Sequence, residues 1–374
     1  MIQTCSRCVF NSNVPGISFD SEGICTYCKI HDQLVVEYPA GEEGWKKLEQ
    51  IAQKIKENGK NKKYDCVVGV SGGCDSSYTV YIAKKLGLRP LAVHFDNTWN
   101  STFAVENIHN LLKKMDVDLY TYVIDNEEFN DISRAFINAA VPEIDAPTDV
   151  ALATVLYMAA EEHGIKYILN GHSFRTEGMG PPGWFYFDGK YVDNVHKKFG
   201  ERPMKTYPNL WLSKWLKWIT IKQIKTIRPL WYIDHNKEET KEFLKNEFGW
   251  KWYGGHHMEN KFTYFCHNFW LPKKFNIDLR YVELSAFIRA GQITREDALE
   301  KLQTPPPISD DLISEVKKRL KFTDEKFEEI LKRHNKYPKD YGTYHPTFKR
   351  LRPFFWLLYK ANLVPKTFYI KYTK

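Results

Sequence analysis

Apolar and polar positions follow a regular order between residues 64 and 171, where short apolar runs alternate with segments of helical periodicity. The apolar runs predict four strands, at 64–70, 91–97, 118–125 and 165–171. The segments between them predict helices from about Ser76 to Leu86, over 103–115, from near Phe129 and over 148–164. Strands that alternate with helices predict an α/β fold in which a parallel sheet carries helices on both faces.

Ligands of such sheets bind at the carboxyl ends of the strands, which lie along one edge. Three polar loops follow predicted strands at that edge, namely the glycine-rich stretch 69–77, the pair Asp96–Asn97 and residues 170–173. The sequence therefore predicts that these loops converge on one pocket.

Outside this block the pattern changes, and the changes predict the domain organisation. The predicted units are a short cysteine-containing segment, a lysine-rich linker helix, the α/β domain and a basic, aromatic helical tail, at 1–34, 35–63, 64–302 and 303–374. Within the α/β domain we expect an aromatic and basic insertion near 174–228, a late strand at 227–234 and a helix at 237–247. The proline run 304–307 is expected to act as a hinge.

The composition is that of a globular protein that favours anionic partners. Hydrophobic residues make up 43% and charged residues 27%, and the net charge is +8. The start of the chain lacks the apolar core of a signal peptide, and no apolar run has the length of a membrane span. With seven cysteines and no export signal, we expect the reducing cytoplasm.

Four cysteines form two CxxC pairs whose separation is typical of a structural zinc site with four thiolates, and they are Cys5, Cys8, Cys25 and Cys28. Such a site resembles a small zinc ribbon. His31 is the alternative ligand in this segment. Cys66 is expected to be a buried strand residue, and no role is assigned to Cys74, which lies in the glycine-rich stretch.

The stretch “GVSGGCDSS” at 69–77 joins a predicted strand to a predicted helix. It lacks the lysine of a Walker A loop and the spacing of a dinucleotide-binding fingerprint. Its glycines allow the backbone to approach an anion, and the helix N–H groups and serine hydroxyls offer donors. Asp75 beside phosphates favours a bridging magnesium ion. The stretch therefore predicts a phosphate site.

This stretch resembles the PP-loop of the ATP pyrophosphatase superfamily, whose signature is SGGxDSS and whose fold is the adenine nucleotide alpha hydrolase-like fold. The resemblance implies cleavage of ATP between its α and β phosphates, with transfer of AMP to a substrate oxygen. It implies ATP contacts at Ser71, Gly72, Gly73, Asp75, Ser76, Ser77, Val93, Phe95, Asp96, Asn97, Gly171 and His172. The catalytic candidates are Asp75, Ser76 and Glu177, the last for contacts to magnesium or to the substrate.

Residues 252–302 mix polar and aromatic side chains, and they resemble the matching region of bacterial N-acetyl sugar amidotransferases of the WbpG/PseA-like branch. Members also begin with CxxC…CxxC and carry SGGxDSS, so the resemblance covers about 1–302, and we identify no contribution from the tail. It implies conversion of the N-acetyl group of a nucleotide-activated sugar to an acetamidine, in lipopolysaccharide O-antigen biosynthesis. The candidate substrate contacts are His256, His257, Glu259, Lys261 and Arg280, with Arg289 as a further candidate for holding a diphosphate.

An amide oxygen is a poor leaving group, so ammonia can replace it only after AMP has been transferred to that oxygen. ATP and Mg²⁺ are therefore the expected cofactors of the reaction, and Zn²⁺ is the expected ion of the four cysteines. No glutaminase domain is recognisable, and Ile2 stands where an N-terminal cysteine nucleophile is needed. The resemblance implies a separate glutaminase similar to the subunit of imidazole glycerol phosphate synthase, with its cyclase-like companion as a further candidate partner.

Two other functions fit parts of the pattern. A PP-loop tRNA-modifying thiolase would account for the net charge, the cysteine quartet and the basic tail. No cysteine that could carry a persulfide is recognisable near the predicted pocket, however, and we expect no nucleic-acid partner. A zinc-ribbon binding module with a degenerate nucleotide fold is the alternative without catalysis, and the intact SGGxDSS stretch argues against it.

Trp211, Trp215 and Trp218 recur at helical spacing with lysines between them. Such a stripe usually faces the core, and contact with a partner or with the inner face of the membrane is the alternative. Residues 344–374 are rich in basic and aromatic side chains without any acid, and they raise the same alternative.

Overall fold

The computed structural model describes residues 2–361 and 363–373. Its centre is a sheet of five parallel strands in the order β3-β2-β1-β4-β5. The strands are β1 Cys66–Gly69, β2 Pro90–Asp96, β3 Leu119–Val123, β4 Tyr167–Leu169 and β5 Lys225–Ile227. The predicted parallel α/β fold is confirmed.

The late strand expected at 227–234 is wrong in extent. β5 ends at Ile227, and the chain turns into a 3₁₀ helix at Pro229–Tyr232. Pro229 has no N–H group to give to a ladder, so the strand cannot continue through it.

Helices cover both faces of the sheet. Those of the first two thirds of the chain are α1 Thr26–Glu37, α2 Gly41–Asn58, α3 Cys74–Lys85, α4 Thr102–Met115, α5 Asn126–Asn138, α6 Ala146–Glu162, α7 Gly189–Phe199, α8 Leu212–Leu216 and α9 Lys237–Phe248. The linker predicted as one helix over 35–63 is instead the end of α1 followed by α2. Pro39 and the left-handed Gly41, with a φ of +69°, separate the two.

The two faces have separate cores because successive strand residues point to opposite sides. Val67 packs with residues of α5 and α6, whereas Val68 packs with residues of α2, α3 and α4. Cys66 is fully buried, as predicted for a strand residue.

The last third of the chain is helical. Its helices are α10 Lys261–Phe265, which continues as a π-helix over Cys266–Phe275, then α11 Arg280–Arg289, α12 Arg295–Lys301, α13 Asp310–Arg319, α14 Asp324–Lys332, α15 His345–Arg350, α16 Arg352–Lys360 and α17 Lys366–Thr373. The run 304–307 is irregular chain between α12 and α13. Leu312, Val316 and Phe327 belong to the same buried cluster as β2, so α13 and α14 pack on the α/β core.

The tryptophan stripe faces the interior of the chain over most of its length. Trp218 is fully buried, stacks on Tyr157 at a ring distance of 5.1 Å and donates its indole N–H to Glu161 at 2.7 Å. Trp215 contacts the rings of Phe355 and Phe368 in the tail. The core-facing interpretation is therefore confirmed for these two.

Peripheral membrane contact stays a prediction. Trp211 is 41% exposed, and on α16 Trp356 and Leu357 are exposed as well. Across the described part of the chain, no helix combines the length and the apolar character needed to cross a bilayer.

Candidate active site

The glycine loop, Ser71–Ser77, connects β1 to α3 at the carboxyl edge of the sheet. α3 begins at Cys74. As in any helix, its first-turn N–H groups have no partner within the helix, and here no side chain caps them. Gly72 has a φ of +81°, and a β-carbon there would collide with the backbone carbonyl of Ala104 on α4. The loop thus presents amide donors at a helix N-terminus, an arrangement that suits phosphate.

Serine hydroxyls hold the loop in this shape. The N–H of Gly73 donates to Ser71 Oγ at 3.2 Å, and the N–H of Ser71 donates to Ser76 Oγ at 3.2 Å. Ser76 Oγ donates in turn to the carbonyl of Gly73 at 3.1 Å. Ser77 is buried below them. From outside, the Trp250 indole and the Asn107 amide donate to the carbonyl of Gly72 at 3.0 and 3.2 Å.

Asp75 is the centre of a buried cluster of charged groups. Its Oδ2 lies 2.8 Å from Lys237 Nζ, and its Oδ1 lies 3.5 Å from His235 Nε2. Both partners come from the chain that follows β5, and each is at least 95% buried. Glu177, from the loop after β4, contacts the same carboxylate.

The protonation states in this cluster follow from burial and from neighbouring charges. Burial alone would raise the pKa of Asp75, but Lys237 and His235 outweigh it and hold the pKa below its ordinary value. Burial and the charge of Asp75 raise the pKa of Glu177 well above its ordinary value. At neutral pH, Asp75 is therefore ionised and Glu177 protonated.

The loop after β4 touches the glycine loop directly. A β-carbon on Gly171 would lie 3.1 Å from the backbone of Asp75 and from Ser76 Cα, so this contact favours glycine. His172 Nε2 lies 3.9 Å from Glu177, and its Nδ1 accepts the indole N–H of Trp231 at 3.3 Å. The structure thus brings Gly171 and His172 to the Asp75 cluster.

The residues predicted at the end of β2 separate into two groups. Phe95 and Asn97 line a cavity of about 300 Å³ that begins at Ser71, which we call the loop cavity. Val93 is fully buried in the core, and Asp96 accepts hydrogen bonds from Thr98 N–H and from the Asn100 amide at 2.7 and 3.0 Å. Only Phe95 and Asn97 therefore face the space where a ligand would lie.

Of the residues predicted as substrate contacts, Glu259 reaches the glycine loop. Glu259 Oε1 accepts the hydroxyl of Ser71 at 3.2 Å and lies 3.7 Å from His257 Nδ1. The His256 ring is tilted against that of His257 with ring centres 3.7 Å apart, and His256 approaches Glu283 Oε1 at 3.6 Å. Burial lowers the pKa of His256 well below its ordinary value, whereas Glu259 offsets burial and raises the pKa of His257.

Two other residues predicted to contact substrate lie elsewhere. Lys261 forms an ion pair with Glu315 at 2.8 Å on the surface. Arg280 pairs with Asp278 at 2.6 Å and donates to the carbonyls of Lys301 and Thr304 at 3.0 and 2.7 Å. Arg280 thus ties α11 to the chain that precedes the proline run.

Arg289 was a candidate for holding a diphosphate, and the structure gives it different partners. Its guanidinium donates to Cys28 Sγ at 3.3 Å and to Cys8 Sγ at 3.4 Å. Because thiolates are the better acceptors, these contacts favour the charged form of the sulfurs. Arg289 therefore belongs to the cysteine cluster, which lies apart from the glycine loop.

The four cysteines of the N-terminal segment form a metal-binding cluster, which we call the cysteine centre. The Sγ atoms of Cys5 and Cys28 are 3.9 Å apart, and those of Cys8 and Cys25 and of Cys25 and Cys28 are 3.7 Å apart. Four thiolates at about 2.3 Å from one tetrahedral ion lie about 3.8 Å from each other. The donor set therefore fits a single ion. His31 packs edge-on against Phe174 and takes no part.

A cysteine does line the loop cavity, contrary to the expectation from sequence. Cys266 begins the π-helix and reaches the cavity between Thr263 and His267. Burial raises the pKa of its thiol well above the ordinary value, so the sulfur is neutral at physiological pH.

Sequence reasoning missed the groups that surround Asp75 and the acids of the loop cavity. His235 and Lys237 lie beyond the 3₁₀ helix that follows β5, and the only signal was that a fifth parallel strand would bring the chain after it to the same edge. Glu143, Asp145 and Asp149 precede or begin α6 and line the cavity. In the sequence, Asp145 and Asp149 have the spacing of ordinary helix-start acids.

We expect Glu143 to make the protein less stable as the pH rises. Glu143 is 4% exposed, and burial raises its pKa to about 8. The folded chain therefore holds a proton that the unfolded chain releases, and stability falls as the pH rises from about 5 to above 8. In urea unfolding followed by tryptophan fluorescence, Glu143→Gln should reduce the loss between pH 6 and pH 9 by ~2 kcal/mol or more.

The matched control is Glu300→Gln, an exposed glutamate on α12. This variant should keep the pH profile of the parent. An unchanged profile for Glu143→Gln would show that Glu143 is ionised in the folded protein at neutral pH.

Comparison with known proteins gives one match in the C-terminal third. Residues 259–353 match the family model described as “LPS biosynthesis protein WbpG-like, C-terminal domain”. The match begins at Glu259 and extends past 302, so the expectation that the tail contributes nothing to this resemblance is wrong.

Curated relatives match parts of the chain. An uncharacterized protein of Methanocaldococcus jannaschii is 32% identical over 171 residues, which cover 45% of this chain and 58% of that protein. A probable mitochondrial tRNA-specific 2-thiouridylase of Caenorhabditis elegans is 23% identical over 155 residues, covering 37% and 40%. The chain thus spans less than two thirds of each relative.

Among solved structures, an NH₃-dependent NAD synthetase from Campylobacter jejuni aligns with a TM-score of 0.33 and 17% identity. The alignment covers 74% of this chain and 93% of the synthetase.

Proposed function

We propose that this protein is an ATP-dependent N-acetyl sugar amidotransferase. It transfers AMP from ATP to the N-acetyl oxygen of a nucleotide-activated sugar and replaces AMP by ammonia, which gives an acetamidino sugar for surface polysaccharides. One observation carries the proposal: Glu259, the first residue of the WbpG-like match, accepts a hydrogen bond from Ser71 of the glycine loop. The segment that matches the WbpG-like model thus contacts the glycine loop, which supports the proposal.

The glycine loop would hold the pyrophosphate that leaves ATP. The N–H groups at the start of α3 would donate toward the phosphates, and the positive end of α3 would stabilise their charge. The hydroxyls of Ser71 and Ser76 donate to Glu259 and to the carbonyl of Gly73 and so hold the loop in shape. Lys237 is held charged by Asp75 in spite of its burial, so it can neutralise charge that develops on the leaving group. No covalent enzyme nucleophile is needed.

The acids of the site fit a magnesium ion. Asp75 Oδ1 and Glu259 Oε2 are buried carboxylate oxygens without a hydrogen-bond partner, and hard oxygen donors are what Mg²⁺ prefers. When bound, the ion would neutralise phosphate charge and orient the α-phosphate. For the cysteine centre we propose Zn²⁺, which the sulfur spacing suits.

The acceptor enters from the side of the histidines. His257, whose pKa is raised by Glu259, can donate to the amide oxygen or to a diphosphate of the carrier, and the neighbouring His256 contacts Glu283. Contacts with the sugar at this place position its acetamido oxygen against the α-phosphate of ATP. ATP and nucleotide sugars are cytoplasmic metabolites, so we propose that the reaction takes place there.

Incubation with ATP, Mg²⁺, ammonium and a panel of UDP-N-acetyl sugars tests the proposal. We expect AMP and pyrophosphate, together with a sugar product lighter than the substrate by the difference between O and NH. Formation of ADP and phosphate instead would contradict the phosphate-loop assignment. Cleavage to AMP without amidine in every sugar reaction would contradict the sugar assignment.

We also propose that ammonia comes from a separate glutaminase chain similar to the subunit of imidazole glycerol phosphate synthase, with a cyclase-like companion as conduit. Ammonia at neutral pH is mostly protonated, so delivery from a partner avoids the low concentration of the neutral form. Glutamine should support turnover only when the partner is added, and ammonium salt at raised pH should bypass it. Efficient use of glutamine by the pure chain would contradict this source of ammonia.

A tRNA thiolase is the second candidate, and the position of Cys266 in the loop cavity is the observation that favours it. The neutral thiol of Cys266 is a poor nucleophile, however. AMP formation that depends on added tRNA and not on sugar would decide for the thiolase.

A further inference from the structure

Three acids around the start of α6 line the loop cavity, and we call the part of the cavity that they line its acidic end. Asp145 immediately precedes α6, Asp149 lies one turn further along it, and Glu143 precedes both. Ser71, Glu259 and the end of β2 line the same cavity. A ligand held by the acids would therefore share the cavity with groups of the proposed transfer.

One oxygen at this end lacks a partner. Asp145 is 8% exposed, its Oδ2 accepts the hydroxyl of Thr263 at 2.7 Å, and its Oδ1 has no hydrogen bond. Glu143, by contrast, accepts from Tyr186 N–H at 3.0 Å and from the Tyr191 hydroxyl at 3.4 Å. A buried carboxylate oxygen left unpaired is costly, so the site is complete only with a donor bound.

The groups that face Asp145 decide which ligand fits. Asp149 faces it from α6, His257 faces it from the segment before α10, and Cys266 faces it from the π-helix. Lys371 of α17 lies near Asp149 and Glu143. Among the described residues, no ion pair within 4.0 Å joins these three acids to a base. Glu143 holds a proton in the folded chain, so Asp145 and Asp149 supply the negative charge at this end, and that charge favours a small cation that carries several N–H donors.

The acid end also suits proton removal better than binding of a divalent metal. Burial and the charge of Asp149 raise the pKa of Asp145 to about 7. A base with a pKa near the working pH takes up a proton efficiently. A carboxyl that is half protonated is a weak ligand for Mg²⁺, which binds ionised oxygens.

We propose that the acidic end of the loop cavity binds ammonium and that Asp145 removes its proton; this role rests on the proposed amidotransferase function. Asp145 Oδ1 accepts the proton of NH₄⁺ and leaves neutral NH₃ beside the adenylated acceptor. The nitrogen lone pair forms the new C–N bond, and the C–O bond to AMP breaks, its electron pair leaving with the phosphate oxygen. The amide N–H proton of the acceptor leaves to solvent when AMP is transferred, so the product amidinium carries the three hydrogens of ammonia, two on the new nitrogen and one on the sugar nitrogen. Asp145 then returns its proton to solvent.

Thallium(I), a monovalent cation close to ammonium in size, tests the site without turnover. Crystals of the full chain soaked in a thallium(I) salt should show an anomalous peak beside Asp145 Oδ1. The peak should be absent in Asp145→Asn, which keeps the acceptor for Thr263 but removes the charge, and weaker in Asp149→Asn. Absence of a thallium peak in the parent would overturn the proposal. A peak at the same place in parent crystals soaked in a manganese(II) salt, without one from thallium(I), would overturn it as well.

Kinetics with ammonium chloride test the proton transfer. Asp145→Asn should raise the apparent KM for ammonium at least tenfold at pH 7, and the difference should shrink at pH 9, where free ammonia is abundant. The Kd for ATP should stay unchanged, and Asp310→Asn, an exposed first-turn acid of α13, should behave as the parent. If Asp145→Asn and the parent depend equally on ammonium, the inference is overturned. If the parent forms no AMP with any sugar, the proposed function is overturned. The thallium result then decides the cation site by itself.

Discussion

Replacement of Asp75 by asparagine is expected to reduce AMP and pyrophosphate formation by about 1,000-fold or more, because it removes a charge around which the whole site is ordered. Asp75 holds Lys237 at 2.8 Å, and its other oxygen is buried without a hydrogen-bond partner and would be a ligand of the proposed magnesium ion. Asparagine keeps the shape of the side chain and one oxygen, but it cannot bind a divalent ion as tightly. The loss should appear in turnover measured by pyrophosphate release.

The fold should survive this change, for a reason that the structure supplies. Removal of one member of a buried ion pair normally costs about 3–5 kcal/mol, because the other charge is left unpaired. Here Glu177 contacts the same cluster, and the charge of Asp75 is one cause of its raised pKa. In Asp75→Asn, Glu177 can ionise and pair with Lys237.

The double variant Asp75→Asn, Glu177→Gln separates the two roles of these acids. It should lose stability in urea unfolding, whereas Asp75→Asn alone should stay near the parent. Ser76→Ala should also abolish turnover, since its hydroxyl bridges Ser71 and Gly73. Asp310→Asn serves as the matched control. Turnover within tenfold of the parent in Asp75→Asn would show that the pyrophosphate is held elsewhere.

The sequence predicts features that depend on short stretches of chain. The glycine loop, the strand before it and the helix after it lie next to each other in the chain, so their small residues and apolar runs define them together. The CxxC pairs are of the same kind, because two residues between cysteines already place both sulfurs on one side of a turn. The predicted convergence of three loops follows from the parallel sheet alone.

Features that depend on distant contacts escape this reasoning. Lys237 meets Asp75 across 162 positions, and no local pattern distinguishes it from the other lysines of α9. Asp145 has the spacing of a helix-start acid in the sequence, but its side chain makes no cap bond and reaches the cavity instead. Burial gives these residues their properties, and burial is decided by the packing of the whole chain.

The arginines Arg280 and Arg289 show the same limit. Both are on α11 in a region that resembles sugar enzymes, so the diphosphate of a carrier was a reasonable expectation for them. The structure places α11 against the cysteine segment, where Val282 joins its apolar cluster and Arg289 meets two sulfurs. The sequence of α11 and the sequence of the cysteine segment do not by themselves show that these two parts of the chain pack together.

Loss of the metal from the cysteine centre is expected to destabilise the protein by several kcal/mol, because formation of a structural zinc site contributes directly to folding. We expect about one zinc ion per chain, bound by Cys5, Cys8, Cys25 and Cys28. Cys25→Ser should lose the zinc and lower the melting temperature. Cys66→Ala, which alters a buried cysteine of β1 outside the centre, should keep it.

Elemental analysis of carefully purified protein measures the first part of this prediction. A four-iron cluster also takes four cysteines, but each sulfur binds a different iron, and the sulfurs then lie farther apart than those seen here. Iron with its visible absorbance would correct the identity of the metal. Protein without zinc or iron would remove the metal site.

Metal loss should also reach the acceptor side of the active site, through α11. Arg289 near the end of this helix donates to Cys8 and Cys28, Arg295 donates to the carbonyls of Cys5 and Cys8, and Glu283 near its start faces His256. Hydrogen exchange after chelation should therefore increase over 2–34 and also over 280–302. The glycine loop has no contact with the cysteine centre, so the Kd for ATP should change less than threefold while the KM for the sugar rises. Faster exchange confined to 2–34 would show that α11 is held by the core and not by the metal.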